Sequence, residues 1–221
     1  MSQTNINEIT SESWNFTIKL LRDVGNLILL IVLNVIPVVD FIVLGYFKRI
    51  VRFDLKDPPK LDDFGGLFIE GFKLVIASLI YAFIPLIILI IGFAGMFFGG
   101  FFGRFVGLTF IIIGGLLAVA ILFIGLPALA IYMRTDDFSK VFAFGEAWNL
   151  IQAFGLGNYI ILYIVLIVFG LITSAIGSVI PWVGPAILGV FSGAFSFKAI
   201  SLFVNRKYPV RLPPPPPPPT F

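Results

Sequence analysis

The chain contains no histidine and no cysteine, and its 221 residues include only 15 Lys/Arg and 12 Asp/Glu. Without histidine there is no side chain that ordinarily titrates near neutrality, and the commonest metal ligand is missing. Without cysteine there is no disulfide, no thiolate metal centre and no sulfur nucleophile. Charged residues make up 12% of the chain, where a soluble domain carries about a quarter. The place of charge is taken by apolar residues, at 59% of the chain with 26 phenylalanines, and mean hydropathy is +1.06. A water-soluble fold of this size cannot hide that much apolar surface, because its exterior must still be solvated. A soluble globular enzyme is therefore excluded. The expected class is an all-α polytopic membrane protein.

Two long stretches carry almost no charge. Between 74 and 133 only Arg104 is charged, and between 147 and 197 nothing is. The first would reach ~90 Å as one helix at ~1.5 Å per residue, far more than a ~30 Å hydrocarbon core. Each stretch therefore reads as a hairpin, with spans at 74–98, 105–132, 158–177 and 179–204. The runs are continuously apolar rather than alternating, which favours helices over a barrel. The stretch 24–47 is ambiguous. Its length suits one crossing, but Asn34, Pro37 and Asp40 fall near its centre, and an unpaired Asp there costs about 2.5–3.5 kcal/mol. The alternative is a short hairpin with arms at 24–36 and 38–52. With the hairpin, fourteen Lys/Arg share one side and Arg104 faces them alone. The positive-inside rule then favours the hairpin, with both ends cytoplasmic in a cell-membrane protein. The organisation is a polar, amphipathic segment at 1–23, a helical membrane domain at 24–208 and a Pro-rich cytoplasmic tail at 209–221. The first 23 residues lack the pattern of a cleavable leader, so the first apolar segment is expected to be retained.

Self-comparison suggests duplication. Glu12-Ser13-Trp14-Asn15 matches Glu146-Ala147-Trp148-Asn149, and Gly25-Asn26 matches Gly157-Asn158. Val35-Ile36-Pro37 then matches Val179-Ile180-Pro181 in the same order. A weaker middle copy starts at Glu70-Gly71-Phe72-Lys73. The implied unit is an amphipathic segment, a membrane hairpin and a basic exit. In the middle copy, Asp62 or Asp63 is placed to cap a helix. Phe64, Leu67, Phe68, Phe72 and Val75 follow at helical spacing. That segment is expected to lie along the interface before the chain turns in. It is either a simple anchor or, through Phe64, Phe68 and Glu70, a docking platform.

Asp40 with Asn34 is the candidate transport site, since intramembrane acids often serve ion or proton pathways. The plainer reading places Asp40 near the interface beside Lys48 or Arg49, or as a cap after Pro37. Gly95, Gly99, Gly103 and Gly107 recur every fourth residue among phenylalanines. The expectation is a Gly/Phe turn around Arg104, with a close-packing helix stripe as the alternative. Trp14, Trp148, Trp182 and Tyr208 fit interfacial anchors. Glu70 and Glu146 could pair with basic linker residues. No nucleophile, metal set or phosphate-binding glycine loop accompanies them, so neither catalysis nor a cofactor is expected. The tail places seven prolines at 213–219 in an extended polyproline II rod. Pro213, Pro216 and Pro219 there could meet an aromatic groove, or the rod is simply a stiff end. The expected surroundings are the bilayer, anionic headgroups at the basic face, and other membrane proteins or further copies of the chain, with no nucleic acid.

The runs VIPVVDFIVLGYFKR at 35–49 and LDDFGGLFIEGFK at 61–73 resemble the family catalogued as domain of unknown function 4013, met mainly in archaea. The likeness extends over about 14–208. Its more specific part surrounds Asp62, Phe64, Phe68, Glu70 and Gly71, although family members often carry Trp where this chain has Phe64. The resemblance implies a multi-pass membrane protein. It brings no activity and no catalytic residue with it.

Overall fold

The computed structural model describes residues 6–181 and 183–210. Trp182 and the proline run, with Pro213, Pro216 and Pro219, lie outside the described residues. Eight α-helices and one 3-10 turn account for 85% of the described residues. In order they are α1 (Ile6–Arg22), α2 (Val24–Val35), α3 (Asp40–Phe53), α4 (Phe64–Phe98), α5 (Gly100–Thr135), α6 (Phe144–Phe154), α7 (Leu156–Gly177) and α8 (Val183–Val204). The 3-10 turn, Phe138–Phe142, joins α5 to α6.

Four helices are long and apolar enough to cross a membrane: α4, α5, α7 and α8. Even the 22-residue α7 and α8 reach about 33 Å, which matches the hydrocarbon core. α8 is the central one, with half of its most apolar window buried within the chain, against 11% for α5. The short α2 and α3 fold back on each other about the turn at 36–39. Asn26 at the start of α2 faces Tyr46 of α3, and its amide donates to the Pro59 carbonyl at 2.7 Å. The start of α2 thus lies beside the chain that leaves α3. One apolar cluster joins Phe16, Leu30, Tyr46, Ile50, Leu67 and Val190. A larger one joins α4 to α8 with the start of α1.

The segment expected to lie along the interface, from Phe64 to Lys73, is not a separate helix. α4 runs unbroken from Phe64 to Phe98, because no Gly-Pro signal separates Lys73 from Leu74 and Pro85 is accommodated within the helix. The packing face also differs from the aromatic stripe. Leu67, Gly71, Leu74, Ala77 and Tyr81 are buried, while Phe64 and Phe72 are exposed. Glycine explains the rotation. A Cβ on Gly45 would fall on the Leu67 carbonyl, and one on Gly71 on the Phe41 carbonyl. α3 and α4 therefore cross backbone to backbone, which only hydrogen side chains permit.

The reversal near Arg104 is tighter than a Gly/Phe loop. α5 begins at Gly100, whose φ of +61° suits glycine, so residues 100–104 are helical. The glycine stripe packs helix on helix. A Cβ on Gly95 would come within 3.2 Å of the Gly103 carbonyl oxygen, and one on Gly103 within 2.9 Å of the Gly95 carbonyl oxygen. The stripe and the turn coexist, since glycine serves both.

Gly45→Ala should lower the melting temperature in detergent by several degrees, as overpacking costs about 1–3 kcal/mol. Gly65→Ala, with nothing within 4 Å of the added carbon, should not lower it. Equal melting temperatures would contradict the α3–α4 contact.

Candidate functional site

The polar chemistry gathers at one end of the bundle, around the last two turns of α3. Lys48, Arg49 and Arg52 sit there at helical spacing and share three carboxylates, Asp63, Glu70 and Asp136. Lys48 is fully buried, and its Nζ lies 2.5 Å from Asp136 Oδ1 at the end of α5. The same ammonium sits 4.7 Å from the centre of the Tyr132 ring. Arg49 holds Asp63 at 2.7 Å and Glu70 at 3.2 Å. Arg52 reaches Asp136 at 3.0 Å and Glu70 at 3.7 Å. On α8, Lys198 bonds Asp54 at 3.1 Å. Ser201 and Asn205 donate to the same carboxylate at 2.8 and 2.9 Å.

Three of these acids occupy unusual backbone positions. Asp54, Asp63 and Asp136 have φ of 49°, 50° and 57°. Asp54 ends α3, Asp63 begins α4 and Asp136 ends α5. Glycine or asparagine is the usual choice for such a left-handed cap. An acid at a helix C-terminus also opposes the macrodipole. Asp54 and Asp136 therefore run against two local preferences, and the cations they hold offset the cost. Asp63 is better placed, since its carboxylate also accepts from the Gly66 amide at 3.1 Å.

A second pairing lies at the foot of α6. Glu146 accepts from Lys140 at 2.5 Å and from the Tyr208 hydroxyl at 2.6 Å. The Lys140 hydrogen bond, followed by that from Tyr208, holds the Glu146 carboxyl below its ordinary value. Burial and the facing Glu146 push the Tyr208 hydroxyl up to about 12. For Asp54, burial works upward, but Lys198 and the Ser201 hydroxyl outweigh it and hold the carboxyl low.

The expected site residues are dispersed. Asn34 donates to the Ala186 carbonyl at 2.9 Å, tying α2 to α8. Asp40 stands in the first turn of α3, with one carboxylate oxygen buried and without a partner. No hydrogen bond joins the two among the described residues. Phe68 packs on Phe41 at 5.6 Å between ring centres, Phe64 is exposed, and Glu70 joins the arginines of α3. Trp14 and Trp148 are each 44% exposed. Among the described residues, no group of three or more acids gathers as a metal site. Sequence reasoning missed the hub on α3. Its signal was an aspartate just beyond the last helical residue, in Phe53-Asp54 and again in Thr135-Asp136.

Asp54 titrates below its ordinary value of ~3.9 in the folded chain. Its pairing contributes fully above that value and is lost as pH falls below it. The melting temperature in detergent should drop as pH is lowered below about 4, and Asp54→Asn should shrink that drop while lowering the neutral-pH value. A drop as large as the wild type's would contradict the pairing.

The model of the family described as protein of unknown function (DUF4013) matches residues 28–182. That stretch runs from α2 to the turn before α8 and contains Lys48, Arg49, Arg52, Asp54, Asp63, Glu70 and Asp136. It is narrower than the likeness read from residues, which extended into α1 and α8. No curated protein and no solved structure matches the chain. With more than half of its length matched, the chain belongs to the DUF4013 family.

Proposed function

We propose that this chain is a non-catalytic membrane-organising component of the cell membrane, presenting one fixed interfacial face to partners. The observation that carries this reading is the ionic layer at the end of α3. Its charges are engaged with one another across α3, α4, α5 and α8. An arrangement of this kind fixes relative helix positions rather than turning over a substrate.

The reading includes six membrane segments, four full spans and the short α2–α3 hairpin, with both ends cytoplasmic. Ion pairs between Asp54 and Lys198, and between Arg52 and Asp136, support it by bringing the ends of α3, α5 and α8 together. The contacts Asn26–Pro59 and Lys19–Asp57 favour a start of α2 on that same side. Duplication is supported by order and exposure. α1 and α6 are both amphipathic helices that precede an apolar helix, α2 and α7 respectively, followed by a second helix that folds back. Their matched Trp14 and Trp148 are equally exposed, and the residues before them, Ser13 and Ala147, are fully buried. Partners would meet the exposed Phe64 and the proline tail with Pro213, Pro216 and Pro219, while anionic headgroups face the basic linkers.

One observation favours a second reading, transport through Asp40 with Asn34: the unpartnered buried oxygen of Asp40.

Three single-cysteine variants, Glu8→Cys, Arg104→Cys and Lys207→Cys, test the topology in a chain free of cysteine. Glu8→Cys and Lys207→Cys should label from the cytoplasmic side and Arg104→Cys from the other. Label reaching Glu8→Cys and Lys207→Cys from opposite sides would restore a single crossing at 24–47. Purification from native membranes should recover a stoichiometric partner, lost on deleting 213–221 or on Phe64→Ala. Recovery of the chain alone would sink the organising role. Ion flux in liposomes that Asp40→Asn abolishes would establish transport instead.

A further inference from the structure

We propose that the cleft where α3, α5 and the turn after α8 meet binds a phosphate-bearing anion, with the chemistry of an anionic lipid headgroup. The inference rests on the basic face described above and assigns it a defined site. The cleft measures about 700 Å³, and its walls include Arg52, Phe53, Arg134, Thr135, Lys207 and Tyr208. No acid lines it.

Arg134 carries the argument. It is 8% exposed, and its Nη2 donates to the Ser201 carbonyl at 2.8 Å and to the Ser201 hydroxyl at 3.2 Å. Its Nε and Nη1 are buried without a partner. A guanidinium is never neutral in a protein, so those idle N–H groups carry the full penalty of lost hydration. Asp54 acts on Arg134 through space, but none of the nearby described acids takes those N–H groups as hydrogen-bond donors. Asp136 and Glu70 take Arg52, Asp54 takes Lys198, and Glu146 takes Lys140 and Tyr208. What is missing is an acceptor with several oxygens, matched to a planar fork and accompanied by further positive charge. A phosphate group has those properties.

The position suits a lipid. Arg134 ends α5, and Lys207 follows α8 by a few residues, so the cleft opens at the depth of headgroups. Phe53, Tyr208 and Val210 give it an apolar flank along which a lipid's acyl chain can begin. A second basic cleft, with Lys19, Arg22 and Lys56, has no comparable orphan. Its one buried cation, Lys198, is already paired with Asp54.

The test uses the full chain in nanodiscs of phosphatidylcholine, with or without phosphatidylglycerol, read by thermal unfolding and by lipid retention in native mass spectrometry. Phosphatidylglycerol should raise the melting temperature and remain bound. Arg134→Gln and Lys207→Gln should each weaken retention about tenfold, the loss of one charge-assisted contact. Lys207 is exposed, so its variant remains informative if Arg134→Gln does not fold. Lys19→Gln, at the other cleft, should retain lipid like the wild type. Titrating inorganic phosphate into neutral nanodiscs separates the sources. A response to phosphate but not to phosphatidylglycerol, weakened by Lys207→Gln, assigns the site to a soluble anion of the same chemistry. No response to either, or unchanged retention in both cleft variants, overturns the proposal. An equal loss in Lys19→Gln also overturns it, by leaving only diffuse attraction to the basic face.

Discussion

A fully buried lysine sets the terms for this structure. Removing an ammonium from water costs several kcal/mol, recovered only with a well-placed anion and further hydrogen bonds. Lys48 obtains these from Asp136, with the Tyr132 hydroxyl at 3.4 Å and the ring face beside it. The end of α5 therefore has to sit against α3. Arg49 and Arg52, one and four residues further on, extend the constraint to the start of α4 through Glu70 and Asp63. Asp54 closes it onto α8. Four helices are thus pinned at a common end by side chains from two turns of one helix.

Away from that end, a different force orders the chain. Lipid tails are as apolar as leucine, so helices in a bilayer gain little from burying apolar surface and associate through close packing. The glycines supply that closeness at Gly45 with Gly71, and at Gly95 with Gly103. Much of the outer surface of α4 and α5 is left bare, with Phe83, Phe97, Phe98, Phe101 and Phe102 more than half exposed. In water such a surface would aggregate; in a bilayer it is the solvent-facing side. The division is consistent: charge fixes the interfacial end, and glycine fixes the membrane-buried part.

The apolar helices were legible because composition and length bound them: between 74 and 133 the only charge is Arg104, near the point where the chain reverses. The edges were less legible. α4 starts at Phe64 rather than 74, since helical periodicity cannot tell an interfacial turn from the first turns of a span. The face of α4 that packs on α3 was not legible because phenylalanine outweighs glycine in any hydropathy pattern, yet Gly71 is what the neighbour touches. The hub on α3 was hidden for a related reason. Lys48, Arg49 and Arg52 counted toward topology, and nothing local distinguishes a solvated lysine from one buried against an aspartate 88 residues away. Asp40 and Asn34 drew attention as polar residues in an apolar run. Asn34 proves to be a tie to Ala186, which a sequence cannot reveal because the partner is a backbone carbonyl.

The most direct measurement is a double-mutant cycle on the central pair, using Lys48→Met, Asp136→Asn and the combination, with unfolding free energy measured in detergent. Asparagine tolerates the left-handed backbone at 136, so the change isolates the charge. Asp136→Asn alone should cost about 3 kcal/mol or more, because it strands a buried ammonium, and adding Lys48→Met should recover much of that loss. Strictly additive losses, or a single Asp136→Asn variant as stable as the wild type, would contradict the pinning of the helix ends by Lys48.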